Sequence, residues 1–347
     1  MKTVHIGHHF YGSGNLGDDF MMAGFLNALK TTKIRLTCCV PYELDSLVKR
    51  FPQITWQPYT RESRAHAIAT CDLWLGLGGS PFQSSVSPWF EDHLEYEANL
   101  CLKYHKTMVF LGIGGQDAEA YNRPKLSSIA HQAHHFWVRD DITHKALIKN
   151  GIDNNKISLK ADLSHLFFQS HILPQIHPGR LSTVLNFDYG TWKHLNTVIE
   201  SLSDLSPTEQ IWLSQELRPL PGAEQALFED LVPTQRLKWK LRMADSVNEG
   251  LESVIANWPS SEWTLSSRFH ATLASAWSGS KTVVIDINSK LKAVAAECGY
   301  EALNAESSPT KFLEAFKRAK APSPGVLTQR AYLAQQSVDE FISLLNS

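Results

Sequence analysis

No run of lysine or arginine interrupts this 347-residue sequence, and its 33 basic and 35 acidic residues leave a formal charge of −2. A nucleic-acid backbone is held by a concentrated basic face, so nucleic acid is excluded as the main partner, and any cations that matter are few and local. Nowhere do about 18 apolar residues run together, the length that a membrane-spanning helix requires. The N-terminal MKTVHIGHHFYGSG has too short an apolar stretch for a secretory signal. A cytoplasmic protein is the simplest reading. The five cysteines, Cys38, Cys39, Cys71, Cys101 and Cys298, make no CxxC pair and no metal-ligand spacing. They are expected as buried thiols in a reducing compartment, with neither disulfide nor zinc. Fifteen histidines are many, yet the groups at 8–9 and 131–135 lack HExxH spacing, and structural or surface positions are expected for most of them. No internal repeat or low-complexity segment is visible.

What the sequence does have is an ordinary globular composition, 43% hydrophobic and 20% charged, with length for two domains of roughly 150 residues each. Short apolar runs at 3–10, 34–40, 72–77, 107–113 and 136–138 read as strands separated by amphipathic stretches. Such alternation predicts a parallel sheet with helices on both faces, and ligands at the carboxyl ends of its strands. The aperiodic SHILPQIHPGR carries two prolines and a glycine and reads as a linker. A second alternation follows, with strands expected at 181–187, 209–214, 262–267 and 281–287. The predicted fold class is α/β, with two Rossmann-like domains (1–168 and 183–325) facing across a cleft and a linker at 169–182. The apolar spacing of 326–346 predicts an amphipathic helix that could cross back to the first domain.

Three segments can carry chemistry. In YGSGNLGDDF (11–20), Gly12, Gly14 and Gly17 follow the first strand and precede a helix. Glycine lets backbone approach a ligand, and the helix start offers unpaired N–H groups to an anion. The segment is no Walker loop, since no GK[ST] follows; a plain turn with Asp18 as N-cap is the alternative. In SSRFHATLASAWSG (266–279), Arg268 and His270 stand where a strand meets a helix. A guanidinium can clamp a carboxylate or phosphate while an imidazole moves protons; a buried arginine paired with an acid and a histidine capping the helix would look the same. Lys290 lies one strand–helix unit further on, where a surface lysine is the plainer reading. Arg139 and Asp162 each end a short predicted strand, either at a ligand edge or as a salt bridge with one another.

Taken in order, these pieces resemble the polysaccharide pyruvyl transferase family. The GxGNxGD-like opening spans Gly12, Gly14, Asn15, Gly17 and Asp18. A second glycine cluster holds Gly78, Gly79 and Gln83, and a third holds Gly114. An RD pair at Arg139–Asp140 precedes a helix ending in Gly151, and a strand closes on Asp162. A late SxRxH matches Ser266, Arg268 and His270, with Lys290 downstream. The similarity runs from residue 4 to about 300 and leaves only 190–260 without a motif.

The resemblance implies a fold like that of GT-B glycosyltransferases and transfer of pyruvate from phosphoenolpyruvate to a sugar, with no metal and no cofactor. It implies His270 as the proton-transfer residue, with Asp18 and Arg268 in the catalytic group. Arg139, Arg268, Lys290, Ser266 and Ser267 would hold the donor. Gly14, Asn15, Gly17, Gly78, Gly79, Gln83, Gly114 and Asp162 would line the loops of the acceptor cleft, and the acceptor itself could be a lipid-linked sugar at a membrane surface. The clusters GGSPFQSS and GIGGQD depart from the family's pattern in glycine, acidic and proline content, which puts the identity of the acceptor in question. A GT-B glycosyltransferase using a nucleotide sugar is the alternative enzyme, although no Glu-rich ribose-binding segment appears late in the second half. A sugar-binding scaffold with a decayed site is the non-enzymatic alternative, and the joint presence of Arg139, Arg268, His270 and Lys290 speaks against it.

Overall fold

A computed structural model describes residues 1–7, 11–30, 32–83, 88–115, 118–171, 173–187, 192–218 and 220–347. His8, His9 and Phe10 of the first expected strand, Ser84 and Ser85 of the second glycine cluster, and Gln116 and Asp117 of the third lie outside the described residues. The chain forms two compact units. One comprises Met1–Ser13, Asp18–Phe167 and Gln329–Ser347, the other Gly14–Gly17 with Phe168–Thr328.

The first unit is built on seven strands: β1 (Lys2–Gly7), β2 (Ile34–Val40), β3 (Ile54–Pro58), β4 (Leu73–Leu77), β5 (Thr107–Ile113), β6 (His135–Val138) and β7 (Ile157–Leu159). They pair in the order β3-β2-β1-β4-β5-β6-β7, every pairing parallel. Helices cover both faces, so the central strands are apolar along their whole length; all five residues of β4 are buried. The chain starts mid-sheet at β1, adds β2 and β3 on one side, then reverses to β4. The crevice at the carboxyl ends of β1 and β4 is therefore the topological switch point, the place where such sheets take ligands. The helix Pro324–Asn346 packs Ala334, Val338, Phe341 and Leu345 into the same core cluster as the helix Leu16–Ala28. Phe341 lies against Phe25 and Trp137, and the Trp137 indole donates to Glu340 at 2.8 Å.

The second unit has six strands: β8 (His177–Val184), β9 (Glu209–Ser214), β10 (Lys240–Met243), β11 (Ser261–Ser266), β12 (Lys281–Asp286) and β13 (Glu301–Asn304). Their order is β10-β9-β8-β11-β12-β13, again parallel throughout, with the switch point between β8 and β11. One expectation needs correction: β8 begins at His177, inside the stretch read as a linker. Its first four residues, including Pro178 and Gly179, are exposed or half-buried, and only Leu181–Val184 are buried. The apolar signal therefore starts late. All five cysteines are buried thiols. Among the described residues no helix is long and apolar enough to cross a membrane.

His5 on β1 is fully enclosed, its Nδ1 3.1 Å from the Thr37 hydroxyl. Burial, reinforced by the nearby Arg64 charge, pulls its pKa from 6.5 down to about 4. The folded protein thus keeps His5 neutral while the unfolded chain takes up a proton below pH 6.5. The stability this represents is intact above pH 6.5 and is lost as the pH falls toward 4, about 3 kcal/mol in all. Urea midpoints measured at pH 7.5 and 4.5 should show a drop that is smaller in His5→Gln than in the wild type; equal drops would refute this account.

Candidate active site

At the switch point of the first unit, the Tyr11 hydroxyl donates to the Leu77 carbonyl at 2.8 Å and ties the loop after β1 to the end of β4. Burial, with the Asp18 charge adding to it, holds the Tyr11 phenol well above its usual range, so it remains a donor. Gly12 and Gly14 both have positive φ (91° and 85°), which explains why glycine stands there. Asn15, not Asp18, begins the helix Leu16–Ala28: its side-chain oxygen accepts the Gly17 N–H at 3.1 Å. Asp18 falls in the first turn, largely buried, where a carboxylate suits the positive end of the helix. Asp19 beside it binds Arg50 at 2.5 Å.

The glycine clusters after β4 and β5 serve close packing as well as access. A Cβ on Gly78 would lie 2.7 Å from the Met21 sulfur, and one on Gly114 would lie 2.3 Å from Arg139 Nε. The Gly114 N–H donates to the Gly79 carbonyl at 2.9 Å. Gln83 is half-buried.

Arg139 departs from the donor-binding expectation. Its side chain is 3% exposed and its Nη1 donates to Asp162 Oδ2 at 2.7 Å, with Asp162 only 1% exposed. Asp140 Oδ2 lies 4.0 Å from Arg139 Nε. Both carboxylates also start helices: Asp140 Oδ1 accepts the Thr143 N–H at 2.7 Å, and Asp162 Oδ1 accepts the Ser164 N–H at 2.9 Å. This is the salt bridge that the residue pattern equally allowed, and it is a buried one. Asp162 therefore holds Arg139 and a helix start, where the loop expectation had it lining an acceptor cleft.

In the second unit the segments after β8, β9, β11 and β12 leave from one edge of the sheet, and Asn186, Glu216, Arg218, Arg268, His270 and Lys290 lie on them or at the starts of the helices that follow. Ser266 organises the turn after β11. Its hydroxyl donates to the Arg268 carbonyl at 3.0 Å and accepts from the Arg268 N–H at 3.1 Å, and Thr272 Oγ1 lies 3.0 Å from it. Ser266 is buried and holds the shape of this turn, where the resemblance had it contacting the donor. Ser267 likewise bonds both the N–H and the carbonyl of Asn186, at 2.6 and 2.8 Å, joining the two loops of the switch point.

Arg268 is held by an acid that sequence reasoning missed. Its Nε donates to Glu224 Oε1 at 2.6 Å and its Nη2 to Glu224 Oε2 at 3.1 Å, and the Glu224 side chain is 0% exposed. A second carboxylate, Glu216, lies 4.0 Å from Arg268 Nη2. The bidentate edge expected to clamp a donor is thus occupied by Glu224. The available signal was a glutamate opening the helix that follows the EQIWLS strand, in a region without a family motif.

His270 is the second residue of the helix Phe269–Ser278, which starts at Arg268 without a side-chain cap, so His270 does not cap it. The helix start is instead braced by Ser266 and by Thr272, whose hydroxyl donates to the Arg268 carbonyl at 2.8 Å. The segment Gly14–Gly17 packs against this edge. Asn15 bridges Glu216, the Leu16 N–H reaches the Gln215 carbonyl at 3.4 Å, and a Cβ on Gly17 would lie 2.1 Å from His270 Nδ1. Gly17 is thus glycine because the imidazole fills the space a side chain would need. Lys290 is half-buried at the start of the helix Ser289–Cys298, after β12.

A sequence model of the family described as polysaccharide pyruvyl transferase matches residues 15–248. The chain belongs to that family. The matched stretch holds Asn15, Gly17, both later glycine clusters, the Arg139–Asp162 pair, Glu216 and Glu224, and ends before Ser266. No curated protein sequence matches this pyruvyl transferase family member. Solved structures resemble it in fold. UDP-GlcNAc 2-epimerase from Methanocaldococcus jannaschii aligns with a TM-score of 0.63 at 12% identity, covering 99% of this chain and 100% of that one. Anabaena HepE, solved with UDP-glucose, aligns at 0.62 and 9% identity over 99% of both chains. A glycosyltransferase from Rickettsia africae aligns at 0.55 and 13% identity over 98% of this chain and 93% of that one. At such identities the likeness is one of architecture, two parallel-sheet α/β domains of the GT-B kind.

Proposed function

We propose that this family member transfers the enolpyruvyl unit of phosphoenolpyruvate to a sugar, in a polysaccharide or its lipid-linked precursor, and closes it as a pyruvate ketal. Beyond family membership, the observation that carries this reading is the turn after β11. There an acid/base side chain, His270, stands two residues from a guanidinium at a switch point, with a glycine cut away to receive its ring. A small polyanion is bound by local cations and helix starts, and these are what that edge offers.

The reaction needs one positioned acid and a charged pocket. His270 protonates the methylene carbon of the enol, and a sugar hydroxyl adds to the neighbouring carbon. The C–O bond to phosphate breaks, and a second hydroxyl closes the ring. Of the two hydroxyl protons, one is accounted for in the new methyl group and the other leaves with phosphate. Lys290 and the field of the Arg268 turn stabilise the donor's charge, and no metal enters any step.

The relatives in fold that carry UDP-sugars define the competing reading. Titration calorimetry with phosphoenolpyruvate and with UDP, followed by phosphate release from phosphoenolpyruvate over a panel of free and lipid-linked sugars in the presence of EDTA, separates the two. We expect heat with phosphoenolpyruvate, and phosphate release that depends on one acceptor class and survives the chelator. Binding of UDP alone, with no phosphate release on any acceptor, would replace this function with nucleotide-sugar chemistry.

A further inference from the structure

Arg268 is turned into the protein, its side chain 19% exposed, so a more exposed cation at the same sheet edge is the candidate to meet the ligand's anionic group. Arg218, four residues past the end of β9, is placed for it. Its Nε and Nη2 donate to Glu216 Oε1 and Oε2 at 2.8 and 2.9 Å, and its backbone N–H donates to the same Oε1 at 3.2 Å. Glu216 is 3% exposed while the Arg218 side chain is 43% exposed. A buried carboxylate thus fixes one edge of a guanidinium whose body reaches solvent. This is a preorganised cation, because the rotamer freedom that binding would otherwise remove is already gone.

Glu216 also joins Arg218 to the rest of the edge. It bridges Asn15, it lies 4.0 Å from Arg268, and its neighbour Leu217 sits against Gly14, where an added Cβ would be 3.1 Å away.

We propose that Arg218 is the residue that engages the phosphate or carboxylate of the substrate, and that Glu216 and Glu224 are positioning residues, one for Arg218 and one for Arg268. In its phosphoenolpyruvate form the proposal rests on the function proposed above. The anion-binding role itself does not.

The experiment titrates wild type, Arg218→Ala, Arg218→Lys and Glu216→Gln with phosphoenolpyruvate and with UDP, each at low and high salt, and records a melting curve for every variant. Arg218→Ala leaves the buried Glu216 carboxylate without its bidentate partner and should melt lower than the wild type, whereas Arg218→Lys keeps a cation beside it and should melt closer to wild type, so affinities are compared only below each variant's own melting transition. Arg218→Ala should weaken binding of the recognised ligand by about 10- to 100-fold, the range for a lost charge-assisted contact, and should flatten its salt dependence. Arg218→Lys should restore part of the affinity, and Glu216→Gln should show an intermediate loss. Affinity within twofold of wild type in a folded Arg218→Ala overturns the assignment and leaves the pyruvyl transfer reading standing. If wild type binds UDP and not phosphoenolpyruvate, that reading falls and the UDP arm decides Arg218 by the same criterion. Binding of neither ligand overturns both.

Discussion

Replacing His270 by alanine should slow phosphate release by about 10²- to 10⁴-fold, the usual contribution of a positioned proton-transfer group, while phosphoenolpyruvate affinity stays within about twofold. The split follows from when each group acts. In the proposed reaction cations neutralise the donor in the ground state, whereas protonation of the enol carbon belongs to the transition state, so its loss should lower turnover and leave binding intact. The structure also isolates the chemical role from the helix start. Ser266 and Thr272 brace the turn at Arg268, and no side-chain cap is made there, so truncating His270 should leave the melting temperature nearly unchanged. Gly17→Ala supplies a second arm, since it places a methyl 2.1 Å from the ring nitrogen and should depress turnover with the histidine still present. A His270→Ala protein that is destabilised but turns over normally would assign His270 to packing and leave Asp18 as the next candidate acid.

The central strands of both sheets were legible in the sequence, and the edges were not, for one physical reason. A parallel strand covered on both faces must be apolar along its length, as in LWLGL and TMVFLGI. β3, β10 and β13 escaped notice, and all three are edge strands. They are short and partly exposed, with no buried residue at all in β10 or β13, so they leave no apolar run. β7, at the remaining edge, was expected to close on Asp162 and ends at Leu159. The carboxylate comes three residues later because it starts the following helix.

The site was legible residue by residue but not pair by pair. Motif order identified Arg139, Arg268 and His270 as special, yet a sequence gives an arginine's neighbours along the chain and not its partner in space. Arg268 finds Glu224 across 44 positions, and Arg139 finds Asp162 across 23. Both arginines are thereby committed to carboxylates, which a motif reading had assigned to the donor. Gly17 shows the converse. Its place in a glycine loop suggested backbone approach to a ligand, and the residue it accommodates is His270, more than two hundred positions away.

The Arg139–Asp162 pair decides between those assignments, and its disruption should be the largest stability change available in the first unit. Asp162→Ala leaves the Arg139 guanidinium buried without its principal partner, a change that costs about 3–5 kcal/mol, and removes the acceptor of the Ser164 N–H, worth about 1 kcal/mol more. Against a total stability of about 5–15 kcal/mol, such a protein should unfold at far lower urea or fail to accumulate. Asp162→Asn keeps an acceptor for Ser164 and should lose less. Removing both charges in Arg139→Met with Asp162→Leu should recover most of the loss, since a buried ion pair is often replaceable by apolar side chains at little cost. That double variant is the informative protein, because it folds without the charges. If it still binds phosphoenolpyruvate and releases phosphate, Arg139 is a structural cation locked to two helix starts. If it folds with a wild-type urea midpoint yet no longer binds phosphoenolpyruvate, Arg139 belongs to the donor pocket after all, and Asp162 is the residue that positions it there.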